Sequence, residues 1–157
     1  MSSEPTYQSL GWVAARLARH IELALSAVDL STAQYRMLVQ LAQGSEASTE
    51  LARKLAVSAP SVTAVVDGLA QRGAVERSQS AEDRRRVSLT LTPQGHVLLD
   101  AAEDAVRSRL EGIADELGDE ALTKQALASL DLWAAALDAH RARRLAKAEP
   151  QSAAARA

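Results

Sequence analysis

Three consecutive arginines, Arg84, Arg85 and Arg86, follow the acids Glu82 and Asp83 and lead directly into Val87-Ser88-Leu89-Thr90-Leu91. Adjacent guanidinium groups repel one another, so such a run needs a polyanion or fixed carboxylates to gain from it. The residues after it alternate with the period of a half-buried strand, Val87, Leu89 and Leu91 inward, Ser88 and Thr90 outward. Carried backwards, that phase turns Arg85 inward and Arg84 and Arg86 outward. Two cations at the lip of a strand can then meet an external anion, while the third needs an internal carboxylate.

Other chemistries find little support. The chain of 157 residues has no cysteine, which removes disulfides, thiolate metal sites and thiol redox sensing. His20, His96 and His140 are far apart and lack metal-ligand spacing. No nucleophile–base pair or phosphate loop is present, and no cofactor is implied. No apolar run approaches the roughly 18 residues of a membrane span. The N-terminus lacks a signal-peptide pattern. The expected location is the cytoplasm, without a membrane partner. Charge is unevenly distributed: the whole chain is −2, yet residues 53–86 carry seven basic and four acidic side chains. A basic middle between acidic ends suggests a local anion-binding face.

The elements that must position these groups follow from apolar spacing and caps. Leu10, Val13, Leu17, Ile21 and Leu25 predict a helix over 10–27, which Asp29-Leu30 breaks. Ser31 with Gln34 forms a capping box for a short helix carrying Tyr35, Leu38 and Leu41, ended by Gly44. Ser48 opens a third helix with Leu51, Ala52 and Leu55. Ser58 caps a fourth, with Pro60 in its first turn and Gly73 at its end. Two short strands follow, Ala74–Gln79 and Arg86–Thr92. Thr92-Pro93 starts a long helix to about Leu117, and after Gly118 a last helix runs from about Glu120 to Lys147. Helix, helix, helix and hairpin make a winged helix-turn-helix. The fold class is therefore mainly α with a small β-hairpin, flanked by long terminal helices. Their apolar stripes are expected to pair between two chains. The expected organisation is an N-terminal dimerisation helix in 1–30, the winged domain in 31–91, C-terminal dimerisation helices in 92–148 and a disordered tail in 149–157.

The segments "LSTAQYRML", "STELARKLAVSAPSVTAVVDGLAQRGAVER" and "DRRRVSLTLTPQG" resemble the MarR (multiple antibiotic resistance regulator) family over roughly residues 10–145. The resemblance implies an obligate homodimer that binds double-stranded DNA at an operator near its own promoter and is released by a small, often phenolic, ligand. The expected function is thus a ligand-responsive transcriptional repressor on a pseudo-palindromic operator.

Under that resemblance, Ala59–Arg72 is the recognition helix, in the major groove. Val62, Val65, Val66 and Leu69 form its core side, and Pro60, Ala64, Asp67, Gly68 and Gln71 the opposite side, with Ser61 and Thr63 on the flanks. Ala64 and Gly68 are small enough for the backbone to approach DNA, although small residues equally serve helix packing. The first three turns of the outward face carry no Arg, Lys, Asn or Gln, which removes bidentate base contacts. Hydroxyl and methyl contacts from Ser58, Ser61, Thr63 and Ala64 remain. Some relatives have an arginine in place of Ala64, so specificity here is expected to lean on DNA shape and the wing.

In the wing, Arg84 suits the minor groove and Arg86 a phosphate. Arg85 is expected to pair with Asp67, and Asp83 to shape the turn. Arg77 is within reach of either Asp83 or the DNA backbone. Trp12, Arg16 and His20 fall four apart on the first helix, which in this family borders a ligand crevice. They suit a small aromatic or phenolic effector, although packing of Trp12 and a solvated Arg16 explain them as well. Arg141, Arg143, Arg144 and Lys147 favour a helix C-terminus through its dipole. Two other readings are a winged-helix protein-interaction module that binds no DNA, against which Arg84 and Arg86 argue, and an enzyme, which no motif supports.

Overall fold

The computed structural model describes residues 9–44, 46–55, 57–79 and 87–154. Six helices and three strands follow in the order α1 (Leu10–Ser26), α2 (Thr32–Ala42), β1 (Glu46–Ala47), α3 (Ser48–Leu55), α4 (Ala59–Gln71), β2 (Val75–Gln79), β3 (Val87–Leu91), α5 (Pro93–Asp115) and α6 (Glu120–Ala154). Local signals account for the boundaries. The Ser31 hydroxyl accepts from Gln34 N at 3.2 Å while the Gln34 side chain accepts from Ser31 N at 3.0 Å, a complete capping box. Ser58 caps α4 by accepting from Ser61 N, and Pro60 lies in the first turn, where a missing N–H costs nothing. Gly73 ends α4 in the left-handed region at φ +67°, which a residue without Cβ adopts freely.

The sheet departs from a plain hairpin. β1 adds a third strand in the order β1-β3-β2, Glu46 pairing with Leu89 and Ala47 with Ser88. Two residues have no alternation to read, so the sequence carried no sign of it. β2 and β3 run antiparallel, with Val75 opposite Leu91 and Arg77 opposite Leu89. Leu89 and Leu91 are buried as the strand phase requires, but Val87, in the same phase, is 46% exposed. The inward side therefore leaves the core before the arginines are reached.

Two compact units make up the chain, residues 1–109 and 110–157. In the first, Leu25, Met37, Leu38, Leu51, Leu69 and Leu89 are completely buried or nearly so, joining α1–α4 and the sheet in one core. Burial of this kind contributes roughly 1.5–3 kcal/mol per large side chain. The first turns of α5 are tied to it. Thr92 caps α5 by accepting from Gly95 N at 3.0 Å and donates to the Gly73 carbonyl at 2.6 Å. The expected stripe of α1 is only half realised: Leu25 is buried, whereas Leu10 is 86% exposed.

In the second unit Thr123 donates to the Ala114 carbonyl at 3.1 Å, and Asp119 accepts from Leu122 N at 3.0 Å at the start of α6. α6 continues past Lys147 and through Pro150 to Ala154, where the sequence reading placed a disordered tail. The Ala-, Glu- and Gln-rich residues around Pro150 favour a helix, and the proline removes one donor from it.

Candidate nucleic-acid interface

α4 is anchored by one face and offers the other. Val62, Val66 and Leu69 are buried and Val65 is half-buried, while Pro60, Ser61, Thr63, Ala64 and Gln71 are exposed. The 3.6-residue period separates the two sets as the sequence suggests. The hydroxyls are already engaged within the helix. Ser58 Oγ and Ser61 Oγ lie 2.8 Å apart, and Thr63 Oγ1 donates to the Ala59 carbonyl at 3.2 Å. With its hydrogen so placed, Thr63 offers outward a methyl group and an acceptor lone pair. For Gly68, where the sequence left both DNA approach and helix packing open, the structure supplies a packing neighbour. A Cβ there would lie 3.2 Å from Gln34 Nε2, so its smallness serves the packing of α4 on α2.

Asp67 and Arg77 are joined by a side-chain hydrogen bond and ion pair, Arg77 Nη2 to Asp67 Oδ1. The sequence assigned Asp67 to Arg85 and Arg77 to Asp83 or the DNA backbone; among the described residues the pair that forms is Asp67 with Arg77. The reason is the phase of β2. Val75 is buried and Glu76 exposed, so Arg77 returns to the core-facing side, where α4 lies. The sequence offered this alternation in "VER", a weaker signal than the five-residue run of β3. The brace thus links α4 to β2. Asp83, Arg84, Arg85 and Arg86 lie outside the described residues.

Two further polar links, absent from the sequence reading, join α5 to the helices before it. Tyr35 Oη donates to Glu103 Oε1 at 2.8 Å. Burial, the hydrogen bond and the Glu103 charge together push the Tyr35 phenol up to about 12. His20 Nδ1 accepts from Arg109, with Nε at 3.2 Å and Nη2 at 3.1 Å. Since guanidinium only donates, the neutral ring carries its proton on Nε2. Of the proposed effector stripe, His20 is therefore committed to Arg109, while Trp12 and Arg16 are exposed. Among the described residues no group of three or more His, Asp or Glu could hold a metal ion. No helix among them is long and apolar enough to cross a membrane.

The MarR family profile matches residues 30–87, from the start of α2 to the start of β3. The transcriptional regulator FarR of Neisseria gonorrhoeae is 31% identical over 127 residues, covering 78% of this chain and 87% of that protein. The transcriptional repressor YetL of Bacillus subtilis is 30% identical over 94 residues, which span 58% of this chain and 56% of that one. Among solved structures, the repressor CouR bound to a 23-mer DNA duplex has a TM-score of 0.64 at 29% identity, covering 80% of this chain and 92% of that one. MarR of E. coli in its apo form shares the fold, with a TM-score of 0.64 at 23% identity over 84% of this chain and 98% of that one. A helix-turn-helix braced to a wing, in a chain with such relatives, defines a DNA-binding transcriptional regulator rather than an enzyme. The chain belongs to the MarR family.

Proposed function

We propose that the protein is a ligand-responsive repressor that binds a pseudo-palindromic operator as a homodimer. The observation that carries this reading is α4: one face is locked into the core, the other is exposed, and Asp67–Arg77 ties it to β2. A recognition element must be held rigidly at the angle its groove demands, and these contacts hold it. CouR, which resembles this chain, is solved on a DNA duplex, and YetL is named a repressor. In this reading Ser58, Pro60, Ser61, Thr63 and Ala64 line the major groove, Arg84 enters the minor groove and Arg86 meets a phosphate. Residues 1–30 and 92–148 serve dimerisation, and the protein works in the cytoplasm.

The effector half of the proposal draws little support from the α1 stripe, because Trp12 and Arg16 are exposed and His20 is bonded elsewhere. The reading is tested on the DNA flanking its own gene. The dimer should protect two half-sites about one helical turn, roughly 34 Å, apart. Affinity should fall steeply with salt, since phosphate contacts dominate. Arg84→Ala should weaken binding at least tenfold without changing thermal stability. Unaltered affinity of that variant removes the wing from the mechanism, and no binding to any flanking repeat refutes the operator reading.

A further inference from the structure

α2, the end of α3 and the first half of α4 surround a cavity of about 50 Å³. Its wall is apolar, built from Met37, Leu55, Val62 and Val65, and its polar groups are Arg36 and Ser61. Arg36 Nη2 donates to the Leu55 carbonyl at 3.0 Å, at the C-terminal end of α3. One bond of five thus fixes a planar fork at the rim of an apolar hollow. A guanidinium held in this way has already lost much of its side-chain freedom, so an anion that meets it avoids that ordering cost. The volume narrows the occupant. One water needs about 10–15 Å³ on this measure. The hollow therefore suits a branched end of a few carbons, and a fused or substituted ring is too large to enter completely.

We infer that this cavity binds a short-chain monocarboxylate. The branched apolar end lies against Met37, Leu55, Val62 and Val65, and the carboxylate pairs with Arg36 beside the Ser61 hydroxyl. Recognition needs both halves: the wall gains from the hydrocarbon, and the guanidinium takes a carboxylate with two parallel hydrogen bonds. Ser61 also belongs to the exposed face of α4, so the occupied site cancels the Arg36 charge beside the surface proposed for DNA and should weaken DNA binding. That consequence rests on the proposed function, whereas the binding itself does not.

The test uses the whole protein and isovalerate as the probe. Met37 is one of two methionines, so its methyl signal is readily assigned. Without DNA, millimolar isovalerate should shift the Met37 and Val65 methyl signals saturably. Isovaleramide, the same shape without the charge, should bind at least tenfold more weakly. Arg36→Gln should lose at least tenfold in affinity, and Arg36→Lys should recover part of it. If Arg36→Gln does not fold, the amide comparison on the unaltered protein still decides. No saturable shift, or equal binding of acid and amide, overturns the site. A second measurement follows DNA affinity with saturating isovalerate. A drop supports the regulatory role, and an unchanged affinity overturns that role. Absence of DNA binding even without isovalerate, with the methyl shifts intact, refutes the operator reading while leaving the carboxylate site standing.

Discussion

A carboxylate on the proposed DNA side of a helix repels phosphate unless a cation neutralises it, and Arg77 does so for Asp67. Both side chains are about half exposed, so the pair is worth only about 0–1 kcal/mol of stability. Under the proposed function, in which helix and wing engage DNA together, its effect on geometry is larger. Asp67→Asn and Arg77→Gln should each leave the melting temperature nearly unchanged and lower operator affinity. In a double-mutant cycle the combined loss should be smaller than the sum of the single losses, and strict additivity would mean that the two residues act independently. Tyr35 gives a prediction about pH. Its phenol is raised from about 10, its ordinary value, to about 12 by burial and Glu103. The folded state therefore holds this proton more tightly than the unfolded chain. The contribution is complete below about pH 10 and is lost as pH rises from there towards 12. Tyr35→Phe should show a smaller drop in urea midpoint between pH 9.5 and 11.5, as an approximate window set by that linkage, than the unaltered protein. Equal drops would show that the Tyr35–Glu103 contact contributes nothing at alkaline pH.

Among the elements, the junction of wing and α5 leaves the least room. A Cβ on Gly95 would meet the Ala74 carbonyl oxygen at 2.1 Å and Leu91 Cδ1 at 2.6 Å. Neither the backbone nor a buried leucine can give way by so much. Gly95→Ala should therefore destabilise the protein by about 3 kcal/mol, at the upper end of ordinary overpacking. Thermal denaturation checks this, and a loss below about 1 kcal/mol would mean that α5 shifts freely on the sheet. Thr92 works at the same junction, capping α5 and holding Gly73. Thr92→Val keeps the volume but removes both bonds, at a cost of about 1–2 kcal/mol. The two substitutions act through different physics, one by intrusion and one by unsatisfied polar groups.

At the scale of the whole molecule, the apolar surface is the unfinished part. Along α6, Leu122, Leu130, Trp133 and Leu137 recur on one helical stripe, and Trp133 remains 64% exposed. Such a stripe is unfavourable in water and is the surface the proposed homodimer would cover. Trp133→Glu combined with Leu137→Glu should convert a dimer into a monomer, as read by light scattering after gel filtration. The same variant should lose operator affinity while a half-site duplex is bound as before. A variant that remains dimeric would move the interface away from α6.

Most of the secondary structure was legible because its causes are local. The capping box Ser31–Gln34, the Ser58 cap with Pro60, the positive φ of Gly73 and the alternation of β3 depend on residues within a few positions of each other. The two faces of α4 were legible for the same reason, since a helical period sorts apolar from polar side chains without reference to anything else. Pairings across the fold were not. Strand phase pointed Arg85 at Asp67 and left Arg77 to Asp83 or the DNA backbone, and the Asp67–Arg77 pair depends on where β2 lies against α4. The choice between DNA approach and helix packing at Gly68 was open in the sequence, and Gly95 gave no sign of its contact with Ala74. Tyr35 with Glu103, and His20 with Arg109, join residues 68 and 89 positions apart. The sequence alone therefore determined which elements form and which of their faces are apolar, because those depend on propensity, caps and period. Only the tertiary structure decided which charges meet and where a Cβ has no room, because both depend on distances between elements that share no local pattern.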